Sequence, residues 1–208
     1  ISLIKKIALT KKPMIISTGM ATMKEIEKTF KVAKDNGAND ITLLYCVSNY
    51  PSKVSDFNLN NIKILKDKFK CRVGLSDHSL DNTVAMSAIA AGAEVIEKHI
   101  GLDNQKTGLD IKFSLKGKEI KLFSKTIKDT HKLLGKKYFF RSDTEKDSLI
   151  FRRSIFAVKK ISKGEKFSIE NIKKIRPGYG ISPSNYEKLI GKKSKRNYNA
   201  GDPIKKNF

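Results

Sequence analysis

The sequence predicts an α/β fold built on a parallel sheet, followed by a small β-rich module. Three observations carry that expectation. Short apolar runs of strand length alternate four times with segments of helical period, the pattern of consecutive parallel strand–helix units. No G-x-G-x-x-G follows the first strand, which argues against a dinucleotide-binding sheet. Beyond residue 150 the texture changes to short β-like runs broken by Gly and Pro turns. The alternation fits both a doubly wound sheet and a (β/α)8 barrel. Four units amount to half of such a barrel, which would then lack its first four strands.

Met14-Ile15-Ile16 is the first strand and ends in Ser17-Thr18-Gly19. Met23, Ile26, Phe30 and Ala33 recur at helical spacing, and Gly37 stops that helix. Ile41 to Cys46 reads as a buried strand, followed by a loop with Pro51. Ile62, Leu65 and Phe69 mark the next helix, and Cys71 to Leu75 the third strand. Val84 to Ala91 is an apolar helix ended by Gly92, and Glu94 to Lys98 is the fourth strand. A polar loop starts at Gly101. The last helix carries Ile120, Phe123, Ile127 and Leu134 and stops at Gly135. Residues 1–135 thus form one domain, 136–150 a polar linker and 151–208 the small module. In that module Ser154 to Ile161 reads as a strand, Ser162 to Glu165 as a turn, Asn171 to Ile175 as a second short element, and Tyr186 to Ile190 as a helical turn.

The chain has 208 residues, with 43 Lys+Arg against 21 Asp+Glu and a formal net charge of +22. Hydrophobic residues make up 39%, enough for a packed core and unlike a collagen-like chain. No apolar run approaches the ~20 residues of a membrane helix. The first residue is Ile1, so the expectation is a fragment or a truncated reading frame. Residues 151–208 hold 16 of the basic and 4 of the acidic residues. Only six of the 43 basic residues are Arg, the side chain whose planar fork suits phosphate and base recognition. Nucleic acid is therefore not the expected partner, although the positive field should attract anionic metabolites. Cys46 and Cys71, far apart in sequence, suggest neither a disulfide framework nor a zinc knuckle. A reducing cytoplasm is the expected compartment.

The polar residues that interrupt the apolar strands fall at strand C-terminal ends: Ser17, Ser48, Ser76 with His78, and Glu97 with His99. In parallel α/β folds that rim binds ligands. Side chains alternate with period two, so Ser76 and His78 share one face, as do Glu97 and His99. Asp77 and Lys98 face the other way, which argues against a Schiff-base lysine. His78 and His99 close two consecutive strands, spaced ~4.8 Å when paired. Two imidazoles at that spacing can share a divalent metal or stand as a pair without one. His131 reads as a surface residue of the last helix. Ser17 to Thr22 joins a strand to a helix start, which suits a phosphate or an ordinary cap by Thr18 or Thr22.

The motifs together resemble the sialic acid synthases. Ile16-Ser17-Thr18-Gly19-Met20-Ala21, Cys46-Val47-Ser48-Asn49-Tyr50-Pro51, Gly74-Leu75-Ser76-Asp77-His78-Ser79 and Ile96-Glu97-Lys98-His99 stand in that family's order and spacing. Arg152-Arg153-Ser154, Lys163-Gly164-Glu165, Lys174 to Gly178 and Leu189 to Lys192 resemble the family's antifreeze-like SAF domain. Gly108 to Leu115, with Phe113-Ser114, is most similar to the pseudaminic acid synthase branch.

The resemblance implies the C-terminal half of a (β/α)8 TIM barrel followed by a SAF domain. It implies condensation of phosphoenolpyruvate with an N-acylated amino sugar aldehyde, giving a nine-carbon 2-keto acid and phosphate. His78 and His99 match the ligands of a divalent metal, usually Mn²⁺. Ser17, Ser48 and Ser76 match phosphoenolpyruvate contacts. Glu97 and Asp110 match acceptor-sugar and proton-transfer positions, and Tyr50 a sugar-side aromatic. The family is a domain-swapped homodimer in which the match of Arg176 reaches the partner's active site. N-acetylneuraminate or legionaminate synthesis is the nearest alternative. A non-catalytic carbohydrate-binding remnant and a basic nucleic-acid-binding protein are alternatives of other classes. Without the family's first four strands, the chain alone is expected to be inactive and poorly stable.

Overall fold

The computed structural model of the chain describes residues 1–136 and 138–206. The backbone divides into two compact units, one of Ile1–Gly135 and one that begins at Lys136.

The first unit is built on four parallel strands: β1 (Met14–Ser17), β2 (Ile41–Cys46), β3 (Arg72–Asp77) and β4 (Val95–Lys98). Their order in the sheet is β1-β2-β3-β4. A doubly wound sheet reverses its strand order at a switch point. Strictly sequential neighbours are the arrangement of a (β/α)8 barrel wall, so the chain is an α/β half-barrel. β1 and β4 are the sheet's two edges.

The helices are α1 (Ser2–Ala8), α2 (Met23–Asp35), α3 (Asn60–Phe69), α4 (Asn82–Ala90) and α5 (Lys118–Leu133). Ile41, Leu43, Val73 and Leu75 point from the sheet into one apolar core with Ile26, Ala33, Ile62, Leu65, Val84 and Ala88 of the helices. The alternate strand positions face the other side. Among them Thr42, Leu44, Cys46 and Ser76 are buried as well. A strand buried on both faces reads as a continuous apolar run, which is why β2 is so plain in sequence. Gly74 lies on this second face. A Cβ there would meet the Val95 carbonyl oxygen at 2.2 Å and Leu44 Cδ2 at 2.8 Å, so only glycine lets β3 and β4 close at this level.

Helix starts follow local capping chemistry. Thr22, not Thr18, caps α2: Glu25 N donates to Thr22 Oγ1 (3.4 Å), and Thr22 N donates to the Glu25 carboxylate (2.7 Å). Thr18 instead extends the β1–β2 ladder, its hydroxyl donating to the Leu44 carbonyl at 2.9 Å. Asp81 caps α4 by accepting from Thr83 N at 2.7 Å. That moves the start of α4 to Asn82, ahead of the apolar run that marks it in sequence. Helix α1 leaves no periodic signal in the sequence because it is 7 residues long and has no side-chain cap. It is held by Ala8, fully buried in the core, with Ile4 packed beside it.

The loop after β4 is more structured than its polarity suggests. Ile100–Gly101 (β5) pairs in parallel with Leu115–Lys116 (β6), and a 3₁₀ turn spans Ile111–Phe113. Leu115 N donates to the His99 carbonyl at 2.9 Å, tying the loop back to the end of β4.

In the second unit β7 (Ser154–Ala157) pairs antiparallel with β8 (Ile172–Ile175), and α6 (Tyr186–Leu189) follows. The expected strand Ser154–Ile161 stops at Ala157 and resumes only as a single bridge between Ile161 and Tyr198. Ile155, Ile161, Phe167, Ile172, Leu189 and Ile204 are fully buried in a core of this unit's own. The backbone of the 136–150 segment carries 3₁₀ turns at Asp143–Glu145 and from Asp147 onward. The Ile150 carbonyl accepts from Gly178 N at 2.8 Å, which attaches that segment to the second unit.

Gly74→Ala is expected to lower unfolding free energy by about 1–3 kcal/mol, the usual range for overpacking, as read by urea denaturation. The Glu25 carboxyl is held below its ordinary pKa by the Thr22 backbone N–H and then by its hydroxyl. A lowered folded-state pKa gives stability that is full above the unfolded value and lost as pH falls through the folded one. Glu25→Gln should therefore cost stability at neutral pH and progressively less as the pH falls below the ordinary carboxylate range.

Candidate functional site

The site follows from the β3–β4 register. Ser76 stands opposite Glu97 and Asp77 opposite Lys98. The pleat sends the first pair to one face and the second pair to the other. Ser76 Oγ donates to Glu97 Oε1 at 2.7 Å. Ser76 is buried while Glu97 stays exposed, so the carboxylate is anchored at one oxygen and open to solvent. Asp77 and Lys98 form a buried ion pair at 2.8 Å on the helix side. Lys98 is thereby turned away from the Ser76–Glu97 face, as the alternation predicts.

One residue further along each strand lies an imidazole. The His78 and His99 rings are 5.1 Å apart, centroid to centroid, and inclined by 58°. His78 Nδ1 lies 3.2 Å from the Val47 carbonyl oxygen. A carbonyl only accepts, so a hydrogen bond here requires the proton on Nδ1 and leaves a lone pair on Nε2; Cys46 Sγ lies 3.9 Å from the same nitrogen. His99 Nδ1 faces Asp110 Oδ2 at 3.5 Å, which favours the same tautomer. Orientation of a ring by a carbonyl or carboxylate at its second nitrogen is the usual setting of a metal-binding histidine.

The spacing can be tested against a shared cation. With metal–nitrogen bonds of about 2.1 Å, each ring centroid lies roughly 3.2 Å from the metal. Two such rings at bond angles of roughly 90–110° stand about 4.5–5.3 Å apart. The separation of 5.1 Å fits. Among the described residues no group of three or more His, Cys, Asp or Glu side chains is arranged to hold a metal. The two imidazoles would therefore leave most coordination positions to substrate oxygens or water.

Aromatic rings close around the pair. Tyr50 lies over His78 at 4.3 Å. Phe113 reaches the edge of His99 at 5.0 Å and lies 5.6 Å from Tyr50. Phe113 is only 4% exposed, whereas Tyr50 is half exposed. In sequence Phe113 stands out only as a branch feature. Its contact with both imidazoles depends on the fold of the 101–117 loop, which polarity does not encode.

The remaining residues spread along the same rim. Ser17 ends β1, exposed, opposite Leu44. Ser48 is half-buried beyond β2, its Oγ 3.7 Å from Cys46 Sγ. A Cβ on Gly19 would meet Ser48 Oγ at 2.3 Å, so Gly19 lets the loop after β1 approach the one after β2. At the start of α2 the backbone N–H of Thr22 binds the Glu25 carboxylate and that of Glu25 binds the Thr22 hydroxyl. Asp110 stands before the Ile111–Phe113 turn, half-exposed beside His99. His131 is exposed on α5. Arg176 is exposed in the second unit, directly after β8. Among the described residues no helix is long and apolar enough to cross a membrane.

Comparison with known proteins gives the chain its family. A model described as the NeuB family matches residues 1–138, and a SAF domain model matches residues 152–208. A pseudaminic acid synthase of Campylobacter jejuni is 40% identical over 202 residues, covering 97% of this chain and 59% of the relative. An N,N'-diacetyllegionaminic acid synthase of the same species is 41% identical over 205 residues, covering 97% of this chain and 61% of the relative. The crystal structure of the spore coat polysaccharide biosynthesis protein SpsE from Bacillus subtilis superposes with a TM-score of 0.59 at 32% identity, covering 98% of this chain and 62% of that one. The chain thus spans about three-fifths of the length of the relatives it matches.

The geometry predicts that His78 carries its proton on Nδ1. Long-range ¹H–¹⁵N correlation at about pH 8, where imidazole is neutral, should show Nε2 as the unprotonated nitrogen. A ring protonated at Nε2 contradicts the assignment.

Proposed function

Because this chain belongs to the NeuB family and carries a SAF domain, we propose that it serves the condensation of phosphoenolpyruvate with an N-acylated amino sugar, of the pseudaminic acid synthase type, with release of phosphate. The observation that carries the reading is the His78–His99 pair, 5.1 Å apart beside the Ser76–Glu97 hydrogen bond. The relatives whose names specify pseudaminic and legionaminic acid are almost equally similar. Phe113-Ser114 favours the first.

His78 and His99 would hold a divalent cation, Mn²⁺ in this reading, through their Nε2 lone pairs. The cation, when bound, supplies Lewis acidity toward the sugar carbonyl. The chain's own side chains do the rest. Ser17 and Ser48 present hydroxyls along the rim to the carboxylate and phosphate of phosphoenolpyruvate, and Ser76 joins them only on releasing its hydrogen bond to Glu97. Glu97 has one oxygen tied to Ser76 and its exposed side open to acceptor hydroxyls. Asp110 orients His99 and is exposed enough to exchange a proton with substrate. Tyr50, tilted against His78 at 4.3 Å, forms the sugar-side wall. The enol ester is a weak nucleophile, so stabilising charge on the aldehyde oxygen contributes several kcal/mol.

The larger assembly is part of the same proposal. The reading has a homodimer in which Arg176 of one SAF domain serves the partner's site, in the cytoplasm, where phosphoenolpyruvate is made. The two sheet edges at β1 and β4 are a liability when left open, and the relatives are longer. Catalysis in this reading needs a closed barrel.

The test is phosphate release from phosphoenolpyruvate with Mn²⁺ and a panel of N-acylated amino sugars. It is run on the chain alone and on the chain supplied with the part of the Campylobacter jejuni pseudaminic acid synthase that it does not match. Activity is expected only in the combination. His99→Ala should lower it at least ~100-fold, while Lys205→Ala leaves it unchanged. Activity indifferent to His99→Ala, or robust in the isolated chain, contradicts the reading.

A further inference from the structure

Directly before the two imidazoles, on the opposite face of the sheet, lies a buried ion pair that the proposed chemistry does not use. Asp77 precedes His78 and Lys98 precedes His99, and the register sets Asp77 against Lys98. Their side chains are 0% and 7% exposed, with Lys98 Nζ 2.8 Å from Asp77 Oδ2. The other carboxylate oxygen, Oδ1, accepts from Ser79 N at 2.8 Å. The Lys98 ammonium also donates to the Ser79 carbonyl and lies 6.0 Å from the Phe123 ring of α5. The residues on both sides of His78 are thus tied to the residue before His99.

A buried ion pair is a poor way to gain stability. Desolvation of both charges offsets their attraction, and an apolar pair of like volume often does as well. An apolar pair, however, could not hold the N–H and C=O of Ser79 while crossing from β3 to β4. We propose that Asp77 and Lys98 are positioning residues that fix the separation and orientation of the His78 and His99 rings, and so set how tightly the two hold one divalent cation. The proposal deepens the metal reading above and rests on it.

Mn²⁺ alone is the probe, titrated into the full chain and followed by the loss of the free-ion EPR signal. The variants are Lys98→Met, which keeps the packing on Phe123, the double variant Asp77→Asn/Lys98→Met, which leaves no lone buried charge, Lys98→Arg and His99→Ala. The single variant is expected to lose stability because it strands a buried carboxylate. The double variant should recover melting temperature yet bind Mn²⁺ about 10–100-fold more weakly than wild type, the range for residues that orient metal ligands. Lys98→Arg should restore part of that affinity. The ¹⁵N spectrum of the metal-free double variant should show His78 in mixed tautomers, a change that loss of stability alone would not produce. If the double variant regains both stability and affinity, the pair is structural and the proposal is overturned. If wild type binds no Mn²⁺, or His99→Ala binds as wild type does, the metal reading itself fails and takes the affinity claim with it.

Discussion

The pairing of β3 with β4 is the constraint on which the rest depends. Because side chains alternate across a strand, a slip of one residue would exchange the faces of every residue on it. In the register seen, Ser76 and Glu97 meet on one face while Asp77 and Lys98 meet on the other. The hydrogen bond on one side and the ion pair on the other lock the same level of the sheet. Gly74, directly opposite Val95, lets the strands close two residues earlier. The imidazoles inherit their spacing from that arrangement. They stand one residue beyond the ends of two strands whose relative position is fixed from both faces.

The surrounding loops bring further side chains against the two imidazoles. The backbone link from Leu115 to the His99 carbonyl brings Asp110 and Phe113 against His99. On the other side, the Val47 carbonyl orients His78 and Tyr50 covers it. One ring is thus held by a backbone acceptor and the other by a carboxylate. The Val47 carbonyl belongs to the backbone, whereas Asp110 is a half-exposed side chain.

Much of this was legible in the sequence because it rests on local rules. Alternation gave the faces of Ser76, Asp77, Glu97 and Lys98 correctly. Apolar period placed the four strands and the helices that cover them. Strand-end polarity pointed to the rim where Ser76, Glu97, His78 and His99 come together. Other features were not legible, for identifiable reasons. Helix α1 is too short to show a period and lacks a cap. The division of labour between Thr18 and Thr22 depends on whether each hydroxyl meets a strand carbonyl or a helix N–H, and both residue types fit either role. Phe113 enters the site through a polar loop whose fold is set by tertiary contacts. Whether two histidines at strand ends stand near enough to share an ion depends on sheet curvature and ring rotation, neither of which a sequence pattern carries.

The central claim is that His78 and His99 bind one cation together. Electron spin-echo modulation of the chain loaded with one equivalent of Mn²⁺ reads this directly, since each coordinated imidazole couples its nitrogen to the metal. The account predicts two such nitrogens in the wild-type chain and one when either histidine is replaced by alanine. A spectrum without imidazole nitrogen, or one unchanged by both replacements, would contradict it.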